Sequence, residues 1–510
     1  MNKRPSLQQL ARAALEGDSD GFVLRDAISW YDRGWVRDTA ANIVDLLDTA
    51  GVRRDLPVGL VARNRPTVAA ALLALIADGR SVRMVYAYQS ARMLANDIVS
   101  GEIAAVIAAD EDFSAPVVEA VEKAGICAVS VHEEAGIGLV GDAPEPGGNP
   151  AVSPVDFGEE PYIEVLTSGT TGPPKHFRIS HEVILRRLLS VNVTYSDQVQ
   201  EEMGSPVSLM FYPLGTISGL YRYLPPALDG SPVILQEKFN LDGWLDFVRR
   251  YRPRRVSLPP PGIDALLSRD IPREALDGVN FIGTGAAPLD VETQAAFEER
   301  FGIPLLISYG ATEFGGPVAA MTAKLINDWG TAKRGSAGIP WADFSLRIVD
   351  AETGKELPRA SDGILEAKPA NLGAGEWVRT SDLAMIDKDG FLYLRGRADG
   401  AITRGGFSIL PEVIEQVIAR HPQVAAAAVV GLPHRRLGEV PVAAVQPRDL
   451  NDPPDLAELE RHVRDQVFAT HVPTQFRIVQ ELPLNPSFKV DLARVRALFD
   501  RKPTERSSAP

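Results

Sequence analysis

Between Val165 and Lys175 the chain reads Val-Leu-Thr-Ser-Gly-Thr-Thr-Gly-Pro-Pro-Lys, a strand-like run that breaks into glycines, threonines, a serine and a lysine. Residues of these types can bring backbone N–H groups, hydroxyls and a cation onto phosphate oxygens. Thr167, Ser168, Gly169, Thr170, Thr171, Gly172 and Lys175 are therefore candidate phosphate-binding residues. The same residue types are common in solvated loops, so the segment alone is weak. It does not follow the G-x-x-x-x-G-K-[ST] pattern: no Gly-Lys pair occurs, and Pro173-Pro174 blocks an immediate helix, which disfavours an ordinary P-loop NTPase.

Five later segments stand beside it: Gly283-Thr-Gly-Ala-Ala-Pro-Leu289, Tyr309-Gly-Ala-Thr-Glu313, Thr380-Ser-Asp-Leu-Ala384, Gly396-Arg-Ala-Asp399 and Pro486-Ser-Phe-Lys489. Tyr309 could stack on adenine, Thr312 could hydrogen-bond a phosphate, and Glu313 offers the oxygen ligand that Mg²⁺ prefers. Taken singly, Tyr309 reads as a core aromatic, Glu313 as a solvated carboxylate and Asp382 as a turn or cap residue. Arg397 reads as a surface cation and Lys489 as a solvated loop lysine.

Together with the first segment these make six motifs in one order, and that order resembles the adenylate-forming superfamily of acyl-CoA ligases, adenylation domains and luciferases, most of all an acyl- or aryl-CoA ligase. The resemblance implies ATP, Mg²⁺ and CoA as cofactors and a small-molecule carboxylic acid as substrate. It implies an adenine site at Gly285, Ala286, Ala287, Tyr309 and Gly310, with Thr312 and Glu313 catalytic and Glu313 on the metal. By the same resemblance Asp382 accepts the ribose hydroxyls, Arg397 contacts the ribose or phosphate side, and Lys489 neutralises charge between the attacking carboxylate and the α-phosphate.

After Asp399, the stretch Ile402-Thr-Arg-Gly-Gly-Phe-Ser-Ile-Leu-Pro-Glu-Val-Ile-Glu415 resembles one common in acyl-CoA ligases, with Val413 in place of a Glu. Gly405 and Gly406 would let a pantetheine arm pass close to the backbone, and Asp399 would be a hinge. A turn leading into a helix with Pro411 at its first position fits the same residues. The acceptor is expected to be CoA; the alternatives are the phosphopantetheine of a carrier protein, or a catalytically silent nucleotide-binding protein.

Pro213-Leu-Gly-Thr-Ile-Ser-Gly219 departs from the family's P-L-F-H-x-x-G, with Gly215 and Thr216 in place of Phe and His. The smaller pair is expected to leave room for a bulky or branched acid. Ser381 stands where the family has Gly.

The elements that must position these residues are α/β in pattern. Short apolar strands such as Val58-Gly-Leu-Val-Ala and Ala104-Ala-Val-Ile-Ala alternate with helical runs up to about Asp343, and a strand-rich stretch with turns at Glu352-Thr-Gly-Lys and Asp387-Lys-Asp-Gly follows. The expected organisation is a large N-terminal region of layered α/β subdomains over residues 1–396, binding AMP and acid. A small mobile α+β C-terminal domain over 397–510 carries Lys489.

Composition is that of a globular enzyme-sized chain: 510 residues, 45% hydrophobic, 24% charged. A formal charge of −14 without a long basic run argues against nucleic acid as a main partner. The start carries no apolar stretch long enough for a signal peptide. The longest apolar run, Val68 to Ala77, falls short of the ~20 residues of a membrane helix, so a soluble cytoplasmic protein without a membrane span is expected. The single cysteine, Cys127, reads as a buried strand position.

Overall fold

The computed structural model describes residues 5–17, 21–134, 136–141, 160–167, 175–190, 207–285, 289, 291–369, 376–398, 400–483 and 490–500. A seven-stranded sheet runs through the N-terminal half in the order Gly136–Leu139, Cys127–His132, Ala105–Ala109, Val58–Ala62, Val82–Tyr86, Tyr162–Thr167, Lys175–Ser180. Its five inner strands are parallel and its two edge strands antiparallel. Strands buried on both faces need continuous apolar sequence, and Val58–Ala62 and Ala105–Ala109 are buried at every position. Cys127 lies in this core, where burial pushes its thiol up to about 11 and keeps it unreactive.

The apolar run of the sequence analysis is the helix Pro66–Asp78, in which every residue from Pro66 to Ala77 is buried. Proline opens it, and Gly79, at φ 76°, closes it in the left-handed conformation that a side chain disfavours. No helix among the described residues is long and apolar enough to cross a membrane.

A second sheet orders Arg255–Ser257, Phe281–Gly285, Leu305–Ala311, Gly316–Ala320 and Ile339–Pro340, with the first three strands parallel. Val256, Ile282 and Leu305 point into the core that holds Trp244, Phe297 and Phe301. A smaller sheet pairs Ser208–Met210 and Val233–Leu235 with Phe22–Arg25 and Trp30–Asp32.

The strand-rich stretch forms an antiparallel sheet of Phe344–Val349, Asp362–Pro369, Val378–Ile386 and Leu392–Arg397. Both expected turns are present, with left-handed glycines at Gly354 and Gly390. From Ile402 onward the chain builds a separate core, in which Ile402, Ile414, Val429, Val445, Leu459 and Val463 cluster. Its sheet joins Phe407–Ile409, Ile402–Arg404, Gly438–Pro447, Val424–His434 and Phe476–Ile478. The helix Pro411–Ala419 covers it, with Pro411 in the first turn as expected. The molecule is therefore a large layered α/β region followed by a smaller α+β unit.

Candidate active site

The phosphate-loop candidates sit at the end of a hairpin. Tyr162–Thr167 pairs antiparallel with Lys175–Ser180 in a register that sets Thr167 opposite Lys175. Ser168, Gly169, Thr170, Thr171 and Gly172 lie outside the described residues.

The same two strands carry a charged cluster that sequence reading did not single out. Glu164, 3% exposed, accepts from Arg83 Nη1 and, at 2.6 Å, from Arg178 Nε, and His176 Nδ1 stands 3.2 Å away. Burial by itself would raise the Glu164 carboxyl; His176, Arg178 and Arg83 overcome that and hold it down at about 2. The base of the loop is thus tied by ionic contacts to the neighbouring strand Val82–Tyr86.

On the adenine side, Gly285 ends its strand opposite Ser308. A Cβ on Gly285 would lie 2.7 Å from Ser308 Oγ, and one on Gly310 would lie 2.6 Å from the Gly316 carbonyl, so only glycine permits this backbone approach. Ala286 and Ala287 lie outside the described residues. Tyr309 is 8% exposed, its ring packed in a cluster with Phe314, Val318 and Ala384.

The Tyr309 Oη donates to Asp382 Oδ2 at 2.6 Å. Burial first, then the charge of Asp382, raises the Tyr309 hydroxyl well above its ordinary value, so it remains a donor. Thr312 and Glu313 occupy the 3-10 turn immediately after the strand, with Glu313 exposed. In the antiparallel sheet Asp382 and Arg397 are Cα partners. The fold thus brings Tyr309, Glu313, Asp382 and the backbone of Arg397 together from three sequence segments.

The acid-side segment is held from a distance. Asn64, 3% exposed, donates to the carbonyls of Tyr212 at 3.0 Å and Gln236 at 2.9 Å and accepts from Leu214 N at 2.9 Å. Thr216 does not open space: its Oγ1 accepts from Gly219 N at 3.1 Å and caps the helix Ile217–Asp229. A Cβ on Gly215 would lie 2.8 Å from Ala62 Cβ. At Gly215 the Ala62 side chain stands where a Cβ would lie, and at Thr216 the hydroxyl caps the helix.

Gly405 and Gly406, at φ 58° and 88°, form the two-residue turn of the hairpin that pairs Arg404 with Phe407. Two successive positive φ angles match the twist of a tight hairpin, and glycine supplies them without strain. The Phe407 ring stands 6.3 Å from Tyr86, and Phe468 stands 5.6 Å from it, so aromatic side chains link the small unit to the end of a strand in the large sheet. Asp399 and Lys489 lie outside the described residues.

Residues 13–375 match the sequence profile of the AMP-binding enzyme family. The chain belongs to that family. Residues 413–489 match the AMP-binding enzyme C-terminal domain, a span that reaches Lys489. Among curated AMP-binding enzymes, the chain is 30% identical over 369 residues to a 4-coumarate–CoA ligase of Pinus taeda, covering 66% of this chain and 65% of the relative. It is 31% identical over 350 residues to a sulfoacetate–CoA ligase of Cupriavidus necator, covering 65% and 66%. The chain spans slightly under two thirds of the length of these two curated relatives. Among solved structures, the amide bond synthetase of Marinactinospora thermotolerans superposes with a TM-score of 0.81 at 25% identity, covering 96% of this chain and 99% of that one.

Proposed function

We propose that this AMP-binding enzyme is an acid–CoA ligase: a carboxylate attacks the ATP α-phosphate to give acyl-AMP and pyrophosphate, and the CoA thiol then takes the acyl group to give a thioester and AMP. The observation that carries the reading is the meeting of Tyr309, Asp382 and Glu313 beside the C-terminal ends of parallel strands, the place where open α/β sheets bind ligands. Relatives named as CoA ligases support the thiol acceptor.

In this reading Thr167 to Lys175 cradle the phosphates of ATP, and Gly285, Ala286, Ala287, Tyr309 and Gly310 form the adenine side. Asp382 and Arg397 hold the ribose, Thr312 a phosphate, and Lys489 balances the charge that gathers during displacement.

Among the described residues no group of three or more His, Cys, Asp or Glu could cage a metal ion. The exposed carboxylate of Glu313 fits Mg²⁺, an ion that takes one or two carboxylates and completes its shell with phosphates and water. When bound, the ion offsets phosphate charge.

The division into two units falls, on this proposal, near residue 397, with the hinge at Asp399 and the Gly405–Gly406 hairpin facing the pantetheine arm.

The likeness to an amide bond synthetase gives a second reading, in which an amine takes the acyl group. Acid-dependent pyrophosphate exchange tests the adenylation, and product analysis with CoA, a phosphopantetheinylated carrier protein or an amine identifies the acceptor. No exchange with any carboxylic acid would refute the ligase reading.

A further inference from the structure

Arg187, on the helix His181–Ser190, is 1% exposed. That helix grows straight out of the strand Lys175–Ser180, and the Ser180 hydroxyl accepts from Val183 N at 3.2 Å to cap its first turn. Strand and helix therefore form one continuous lever from the phosphate-loop hairpin to Arg187.

The two ends of the guanidinium hold two other segments. Nη2 donates to the Pro317 carbonyl and Nη1 to Asp343 Oδ2. Pro317 is the ladder partner of Gly310, and Asp343 directly precedes the strand Phe344–Val349. The guanidinium also lies 4.6 Å over the Phe344 ring, and Phe344 shares a cluster with Tyr309, Phe314 and Ala384. One buried side chain thus joins the hairpin, the strands around Glu313 and the antiparallel sheet that carries Asp382.

Between Glu313 and Pro317 the chain passes through Phe314 and two buried glycines, Gly315 at φ 65° and Gly316 at φ 127°. Glycine has the widest backbone freedom, so the turn Thr312–Phe314 gains from an outside hold. A Cβ on Gly315 would lie 3.8 Å from Arg187 Cγ, so the stem of the arginine braces one glycine while its head fixes the carbonyl just beyond the other. An apolar side chain would fill the same space without burying a charge. What it would not supply is a fork with fixed angles between two acceptors.

We propose that Arg187 is a positioning residue for adenylation: it fixes the Thr312–Glu313 turn relative to the phosphate-loop hairpin, so that Glu313 meets the Mg²⁺ of bound ATP at one place. The inference rests on the ligase reading above and adds to it a residue that acts only through others.

The test uses the full-length chain and calorimetric titration with ATP, with and without Mg²⁺, and with AMP. Arg187→Lys keeps the charge but cannot span both acceptors in fixed geometry. Its affinity for ATP with Mg²⁺ is expected to fall by on the order of 10- to 100-fold, while its affinities for AMP and for metal-free ATP stay at the wild-type level. Pyrophosphate exchange, with any acid that supports it in wild type, should lose kcat by a similar factor with KM for the acid unchanged. The double variant Arg187→Met with Asp343→Leu removes the ion pair as a unit, leaves no lone charge buried, and should show the same selective loss; it decides the matter if Arg187→Lys does not melt cooperatively.

Equal losses for AMP, metal-free ATP and ATP with Mg²⁺ would mean general loosening and overturn the proposal. A wild-type response to Mg²⁺ in either folded variant, or an ATP affinity in wild type that ignores Mg²⁺, overturns it as well. Wild type that binds ATP but exchanges pyrophosphate with no acid overturns the ligase reading, and the calorimetric comparison still decides whether Arg187 places Glu313.

Discussion

Tyr309 and Asp382 stand 73 positions apart in sequence and meet through one 2.6 Å hydrogen bond across two different sheets. The donor is a buried phenol whose proton is held by its surroundings, and the acceptor is a carboxylate on the neighbouring antiparallel sheet. A carboxylate oriented by a fixed neutral donor is presented in one direction before any ligand arrives, which lowers the ordering cost of binding.

Replacing Tyr309 with Phe keeps the ring in its cluster and removes only that donor. Folding should be little changed, while AMP affinity should fall about 10- to 100-fold, the worth of one hydrogen bond to a charged group. Calorimetric titration with AMP measures this; unchanged affinity would detach Tyr309 from the ribose-side carboxylate.

Glu164→Gln leaves Arg83 buried without its full counter-charge. The variant should lose about 3 to 5 kcal/mol of stability, read as a lower denaturant midpoint, and pyrophosphate exchange should weaken because the phosphate-loop hairpin loses its anchor.

The same residue sets an acid dependence. The Glu164 carboxyl is held near 2 against an ordinary value of 4.5, so its stabilising contribution is present in full above about pH 4.5 and is lost as pH falls toward 2. That contribution is about 3 kcal/mol. The stability gap between wild type and Glu164→Gln should therefore close over this pH window; a constant gap would show that the ionic cluster is not its source.

Thr216→Ala removes a helix cap and should cost about 1 kcal/mol, with KM for the acid nearly unchanged. A tenfold rise in that KM with normal stability would return Thr216 to the acid pocket.

Lys489→Ala should depress acid-dependent pyrophosphate exchange by about 100-fold or more, the size of effect seen when one charge-stabilising group is removed. ATP affinity, measured separately, should stay within a few-fold of wild type. Exchange at the wild-type rate would end the role proposed for this lysine.

Much of the architecture was legible because it rests on local pattern. The buried strands around Val58 and Ala105, the helix opened by Pro66, the helix begun by Pro411 and the turns at Gly354 and Gly390 are each decided by apolar period or backbone sterics within a few residues. Tyr309, Glu313 and Asp382 were legible as types in order, and the fold brings them together.

What stayed hidden depends on partners far along the chain. Nothing near Asn64 announces that it staples Tyr212, Leu214 and Gln236, and Arg83 meets Glu164 only because two parallel strands become neighbours. The capping bond of Thr216 and the Ala62 contact of Gly215 likewise exist only once the helix and sheet are in place.

The ladder pairing of Asp382 with Arg397, followed by the Ala398 amide on the Ser381 carbonyl, keeps the chain on the large region through Ala398. On the proposed hinge at Asp399, a rotation of the small unit would begin just beyond that point. Whatever Asp382 grips would then remain in a stationary jaw while the other jaw travels, so both half-reactions would share one unmoved handhold.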